Sequence, residues 1–208
     1  MLNQLRPYRE SASQTAGPYV HIGCTPNQAE ITGVWAEDLG ARMLQPQTKG
    51  ERIVVEGIVY DGSGAPLKDA VIEIWQADAA GLYAGPGESR GAADPAFPGF
   101  GRQATDGDTG LFRFETIKPG RVPYDDGRLQ APHISVWIVA RGINIGLSTR
   151  LYFADEAEAN AADPVLLRVL DPRRRGTLIA APAPGAEPGV YRFDIRLQGP
   201  DETVFFDI

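Results

Sequence analysis

The chain has one cysteine, Cys24, and two histidines, His21 and His133. A lone cysteine closes no intrachain disulfide and suits a reducing compartment. Two histidines far apart in sequence leave few ways to build a zinc or iron site, which needs three or more protein ligands. Long apolar runs are also missing. The longest near the middle, "ISVWIVA", has seven residues, where a helix spanning a bilayer needs about 20. The opening "MLNQLRPYRE" carries no apolar stretch of the secretory kind. The expectation is a soluble cytoplasmic protein with no membrane partner. Positive charge is scarce, with 20 Lys and Arg against 27 Asp and Glu and a net charge of -7. That argues against nucleic acid, whose phosphates call for clustered cations. No Walker loop and no dinucleotide-binding glycine motif following a strand occurs.

What the chain has in quantity is punctuation. With 24 glycines and 17 prolines in 208 residues, the pattern is short strands and tight turns. A hydrophobic fraction of 43% is ordinary for a globular protein. Residues 1–50 read as an N-terminal arm and irregular segment packing on a neighbour. "SQTAGPYVHIG" gathers Tyr19, Val20 and Ile22, too apolar for a free tail. "TPNQAEITGVWAEDLG" has room for a turn or two of helix.

From residue 51 the period drops to two. "ERIVVEGIVYDGSGAPLKDAVIEIWQAD" reads as strand, turn, strand. "GLFRFETI" sets Phe112 and Phe114 against Arg113 and Glu115. "HISVWIVARGINI" reads as a buried strand, and "VYRFDIRLQG" alternates Tyr191, Phe193, Ile195 and Leu197 with polar residues. Between these lies a polar, glycine-rich loop over about residues 79–103, of a length that is usually functional or pinned. The best helix, "DEAEANAADPVLLRVL", breaks before Pro164. The predicted fold is all-β: a single β-sandwich over residues 51–208 with long loops, short helical segments and an extended N-terminal arm.

The chemical candidates are few. His133 and Ser135 share one face of their strand; a satisfied core histidine fits this better than half of a metal site. Cys24, three residues from His21, reads as a small buried residue rather than an activated thiol. Arg141 ends a charge-free strand, and its five fixed donors suit a carboxylate. Arg173 to Arg175 read as a solvated, partner-paired surface. From the residues alone, three readings stay open: a binding module, an enzyme with a tyrosine or carboxylate site, or one chain of a composite enzyme that lends its arm and Arg141 to a neighbour's pocket.

Several long words resemble the intradiol ring-cleavage dioxygenases. They are "SQTAGPYVHIG" (13–23), "GIVYDGSGAPLKDAVIEIWQADAAGLY" (57–83), "FGRQATD" with "GLFRFETIKPG" (100–120), "APHISVWIVARGINIGLSTRLYFADEAEAN" (131–160) and "YRFDIRLQGPDETVFFDI" (191–208). The resemblance implies a β-sandwich that takes part in cleaving a catechol between its two hydroxylated carbons with O2. The family's iron-bearing chains hold Fe(III) with two tyrosinates and an H-x-H pair. Here His133 sits at the first histidine and Ser135 at the second. Val122 stands at one tyrosine position, the loop "AGPGESRGAA" (84–93) holds no tyrosine, and Gln130 replaces a positive residue three before the first histidine.

Those departures are what the alpha chain of a two-chain member looks like. The resemblance therefore implies no metal site in this chain, with Fe(III) held by an iron-bearing beta chain. It also implies a shared pocket for a small aromatic acid, to which this chain contributes Thr15, Gly17, Pro18, Tyr19 and Arg141. The alternatives are a subunit of a catechol or hydroxyquinol intradiol dioxygenase, and a transthyretin-like binding module, which the word at 55–75 alone also suggests.

Overall fold

A computed structural model describes residues 14–17 and 19–207. Strands dominate: β1 (Arg52–Tyr60), β2 (Val71–Trp75), β3 (Phe100–Ala104), β4 (Leu111–Ile117), β5 (His133–Val139), β6 (Leu147–Phe153), β7 (Ile179–Pro182), β8 (Val190–Arg192) and β9 (Ile195–Arg196). The helices are short: α1 (Tyr19–Cys24), α2 (Ala157–Ala162) and α3 (Pro172–Gly176). Among the described residues, no helix is long and apolar enough to cross a membrane.

The strands hydrogen-bond along one path, β3-β2-β5-β6-β7-β8-β1-β4, with β9 added on β1. The path turns over at β7. Its first half pairs in parallel with β6 at Tyr152 and Phe153, and its second half pairs antiparallel with β8 at Tyr191 and Arg192. The two end strands, β3 and β4, come back into contact. The result is an all-β fold with a nearly closed sheet.

Alternation builds the core. Ile53, Val55 and Val59 of β1, Phe112 and Phe114 of β4, and Ile134, Val136 and Ile138 of β5 all point inward and are buried. Each such side chain contributes about 1.5–3 kcal/mol on burial. Gly57 breaks the row in β1 for a steric reason. A Cβ there would lie 1.9 Å from the Phe193 carbonyl oxygen.

The structure redraws some predicted boundaries. β5 stops at Val139, and Arg141 with Gly142 forms a turn in which Gly142 takes φ +85°, so "ARGINI" is not strand. "VYRFDIRLQG" divides into β8 and β9, because the Asp194 carboxylate takes the Ile58 N–H at 2.9 Å in place of a ladder carbonyl. Tyr191, Phe193 and Ile195 stay buried across that break. Residues 25–40 form turns rather than helix. Asp38 accepts from the backbone of Asn27 and Gln28 at 2.9 and 3.1 Å and knots the segment, while the helical turn comes earlier, as α1. The long loop ends where β3 begins at Phe100. Its own carboxylates hold it: Asp78 takes the N–H groups of Ala80, Leu82 and Asp94 at 2.8–2.9 Å. The break at Pro164 is observed, with α2 ending at Ala162 and a single 3-10 turn over Leu166–Arg168.

Candidate functional site

The two ends of β5 carry the two candidate regions. At its C-terminal end, the Arg141 Nε donates to Asp69 Oδ2 at 2.6 Å, while the arginine side chain stays 71% exposed. The next N–H, of Gly142, donates to Thr15 Oγ1 at 2.7 Å. His21 Nε2 lies 3.0 Å from the Asp69 carbonyl oxygen. The N-terminal segment is thus stitched to the turn after β5. Ala16, Gly17, Val20, His21, Asp69 and Arg141 surround a cavity of about 240 Å³. Thr15, Gly17 and Arg141 are brought together. Tyr19 is close in sequence but 82% exposed, and Pro18 lies outside the described residues. Among the described residues other than its chain neighbours, nothing comes within 4 Å of a Cβ placed on Gly17.

At the N-terminal end of β5, His133 is 5% exposed. Its Nδ1 lies 2.8 Å from the Ala131 carbonyl, and its ring centroid lies 5.6 Å from that of Tyr152. Burial, joined by the nearby Arg150 charge, lowers its pKa to about 4. The imidazole is therefore neutral near pH 7. Ser135 faces the same way and stands in a cross-strand row between Trp75 of β2 and Arg150 of β6. Val122 is 4% exposed and lines a cavity of about 440 Å³ together with Tyr83, Glu88, Arg90, Gln130, His133 and Arg150. Ser135 lines a larger groove of about 800 Å³ alongside, which Trp75 and Arg150 also border.

The family model described as "Dioxygenase" matches residues 26–199. A protocatechuate 3,4-dioxygenase alpha chain from Pseudomonas putida is 48% identical over 198 residues, covering 95% of this chain and 96% of that one. The beta chain of the same enzyme from Burkholderia cepacia is 36% identical, over 81% of this chain and 77% of that one. The chain belongs to the intradiol ring-cleavage dioxygenase family. A solved dioxygenase domain of a carbohydrate-binding fusion from Streptomyces sp. SirexAA-E matches with TM-score 0.55 at 27% identity, over 83% of this chain and 95% of that one.

Intradiol dioxygenases are of the non-haem iron type. The residues of this chain do not fit a ferric ion. Such an ion needs several donors, with anionic oxygens among them. Val122 offers no donor. Tyr83, one residue before the loop 84–93, does reach the cavity, but it is a single oxygen donor and lies stacked beside Trp75, with ring centroids 6.0 Å apart. Beside Ser135, two residues on from His133, stands the cationic Arg150. Among the described residues, no three His, Cys, Asp or Glu side chains gather to hold a metal.

The remaining candidates resolve simply. The His21 ring is engaged with the Asp69 carbonyl, and Cys24 is half-buried rather than buried. Arg173 and Arg174 pair with Asp201 and Glu202 at 2.7 and 3.4 Å, and Arg175 bonds the Val169 carbonyl at 2.9 Å. Residues 87–91, "GESRG", have the spacing G-x-S-x-G of a nucleophile elbow, but Ser89 sits in irregular loop rather than between a strand and a helix. Sequence reasoning missed Asp69, Tyr83 and Arg150. No local signal marks them, because their importance comes from strand register and loop return.

Proposed function

We propose that this chain is the alpha subunit of a protocatechuate 3,4-dioxygenase. It binds no iron itself and completes the pocket of a beta chain that holds Fe(III). The assembled enzyme then performs intradiol cleavage of protocatechuate by O2 to 3-carboxy-cis,cis-muconate, in cytoplasmic aromatic catabolism through the β-ketoadipate pathway. The observation that carries the reading is the 48% identity, over 95% of the chain, to a protein named as such an alpha chain. The ferric-ion misfit around His133 supports the placement of iron on the partner.

In this reading residues 51–208 are an intradiol-dioxygenase-like β-sandwich, and residues 1–50 are the arm and irregular segment that pack on the partner. Thr15, Gly17, Pro18, Tyr19 and Arg141 face the shared pocket. Arg141 supplies a fixed cationic fork for the substrate carboxylate, so its work is orientation and charge neutralisation. Tyr19 supplies a hydroxyl and an aromatic wall. The cavity beside Arg141 is about 240 Å³ and is bounded on this chain by Ala16, Gly17, Val20, His21, Asp69 and Val139. An aromatic acid needs the partner to close it.

Elemental analysis of the chain expressed alone, with and without added Fe(III), tests the reading. Less than about 0.1 iron per chain is expected, with ring cleavage appearing only when the beta chain is added. About one tightly held iron per chain, with activity, would overturn it.

A further inference from the structure

The cavity at the N-terminal end of β5 has lost the donors for a cation, and its charge points the other way. Arg150 projects from β6 into it. Its Nη1 donates to Gln130 Oε1 at 2.7 Å and lies 3.5 Å from the Tyr152 hydroxyl oxygen, and among the described residues it makes no ion pair. Its nearest carboxylates are engaged elsewhere. Asp163 is reached only through the Tyr152 hydroxyl and accepts three backbone N–H groups, and Glu88 is taken by Arg90, which grips the carboxylate through both Nε, at 2.9 Å, and Nη2. A half-buried guanidinium without a counter-charge is costly unless an anion or water satisfies it. The charged side chains that line this cavity, two arginines and one glutamate, sum to +1, with the Asp163 carboxylate buried behind Tyr152.

The walls add shape to the charge. Trp75 and Tyr83 lie near-parallel, with ring centroids 6.0 Å apart and 9° between planes. Val122 closes another side. The volume, about 440 Å³, is in the range of small-ligand sites. Gln130 holds the Arg150 guanidinium in place at the cavity wall by accepting its hydrogen bond.

The geometry points to a second ligand site on this chain: a pocket for a small aryl carboxylate, held by the Arg150 guanidinium and flanked by Trp75, Tyr83, Gln130 and His133. The carboxylate pairs with Arg150, and the ring lies against the Trp75–Tyr83 wall. This site depends only on this chain's residues, so it stands or falls separately from the shared pocket at Arg141.

The test is a titration of the full chain, purified without its partner, with 4-fluorobenzoate followed by 19F NMR. Saturable binding with Kd of about 1 mM or tighter is expected. Arg150→Gln is expected to weaken it by about tenfold or more, while Arg173→Gln, on the paired surface, leaves it unchanged. If Arg150→Gln does not fold, Arg150→Lys serves, keeping the charge but losing the fork, and a several-fold loss is expected. Cyclohexanecarboxylate is expected to bind more weakly than the aryl probe. Absence of saturation up to about 10 mM, or equal affinity in wild type and a folded Arg150 variant, overturns the site. Equal affinity for the two carboxylates overturns its aromatic selectivity.

Discussion

Arg141 and Asp69 meet across 72 positions of sequence, with Nε 2.6 Å from Oδ2, in an ion pair that leaves most of the arginine in solvent. Such a surface pair contributes little to stability. Its effect is on direction: one edge of the guanidinium is anchored and the rest is presented outward, beside Thr15 and Gly17. Arg141→Ala is therefore expected to leave folding and the iron content of the assembled enzyme intact while lowering kcat/KM by about tenfold to a hundredfold, mainly through KM. Arg141→Lys is expected to recover only part of this, because an ammonium cannot reproduce the planar fork. Steady-state kinetics with iron analysis decide it, and unchanged kinetics would remove Arg141 from the pocket.

The arm gives the second prediction. Thr15 accepts the Gly142 N–H at 2.7 Å, so the N-terminal segment is fixed to the same turn that carries Arg141. Deleting residues 1–19 removes this tie along with Tyr19. Weakened association with the beta chain, or reduced activity of the complex that does form, is expected. Sedimentation and kinetics on the co-expressed truncation measure both. A fully active, fully assembled truncated complex would refute the arm's role in a shared pocket.

Much of the strand content was legible because burial follows alternation. Ile134, Val136 and Ile138 point inward as their spacing requires, and Pro164 ends the helix it was expected to end. Two of the failures share a physical cause, a side chain replacing a backbone partner, while β5 ends early because Gly142 turns the chain at φ +85°. Asp194 interrupts the last strand, and Asp38 gathers residues 27 and 28 into turns. The sites divide in the same way. Thr15 and Gly17 came from family resemblance and Arg141 from its strand-end position as well, and the structure places the three side by side. Asp69 and Arg150 were invisible, since nothing local reveals that Arg150 stands beside Ser135 in the sheet.

His133 supplies a pH dependence. Burial, with Arg150 acting in the same direction, depresses its pKa to about 4 from an ordinary 6.5. Between those values the unfolded chain takes up a proton that the native chain refuses. The contribution to stability is therefore complete above about pH 6.5 and is lost as pH falls towards 4, by up to about 3 kcal/mol. Urea midpoints measured across this window are expected to fall more steeply with acid for the wild type than for His133→Leu, whose baseline stability differs but whose slope lacks this group. Parallel slopes would show that His133 is free to protonate in the folded protein.

The last prediction concerns what holds His133 in place. Asp163 is fully buried and accepts three backbone N–H groups, from Ala131 at 2.7 Å and from Val165 and Leu166 at 2.8 Å. The carbonyl of that same Ala131 meets His133 Nδ1. One carboxylate thus joins the turn after α2 to the segment that covers the cavity. Asp163→Ala leaves three buried donors without an acceptor, at a cost of about 3 kcal/mol. Asp163→Asn keeps one acceptor oxygen and is expected to lose less. Denaturation midpoints rank the variants, and faster amide exchange at Ala131 in Asp163→Asn would locate the loosening beside His133. A shift below about 0.5 kcal/mol for Asp163→Ala would mean that water replaces the carboxylate and that the anchor lies elsewhere.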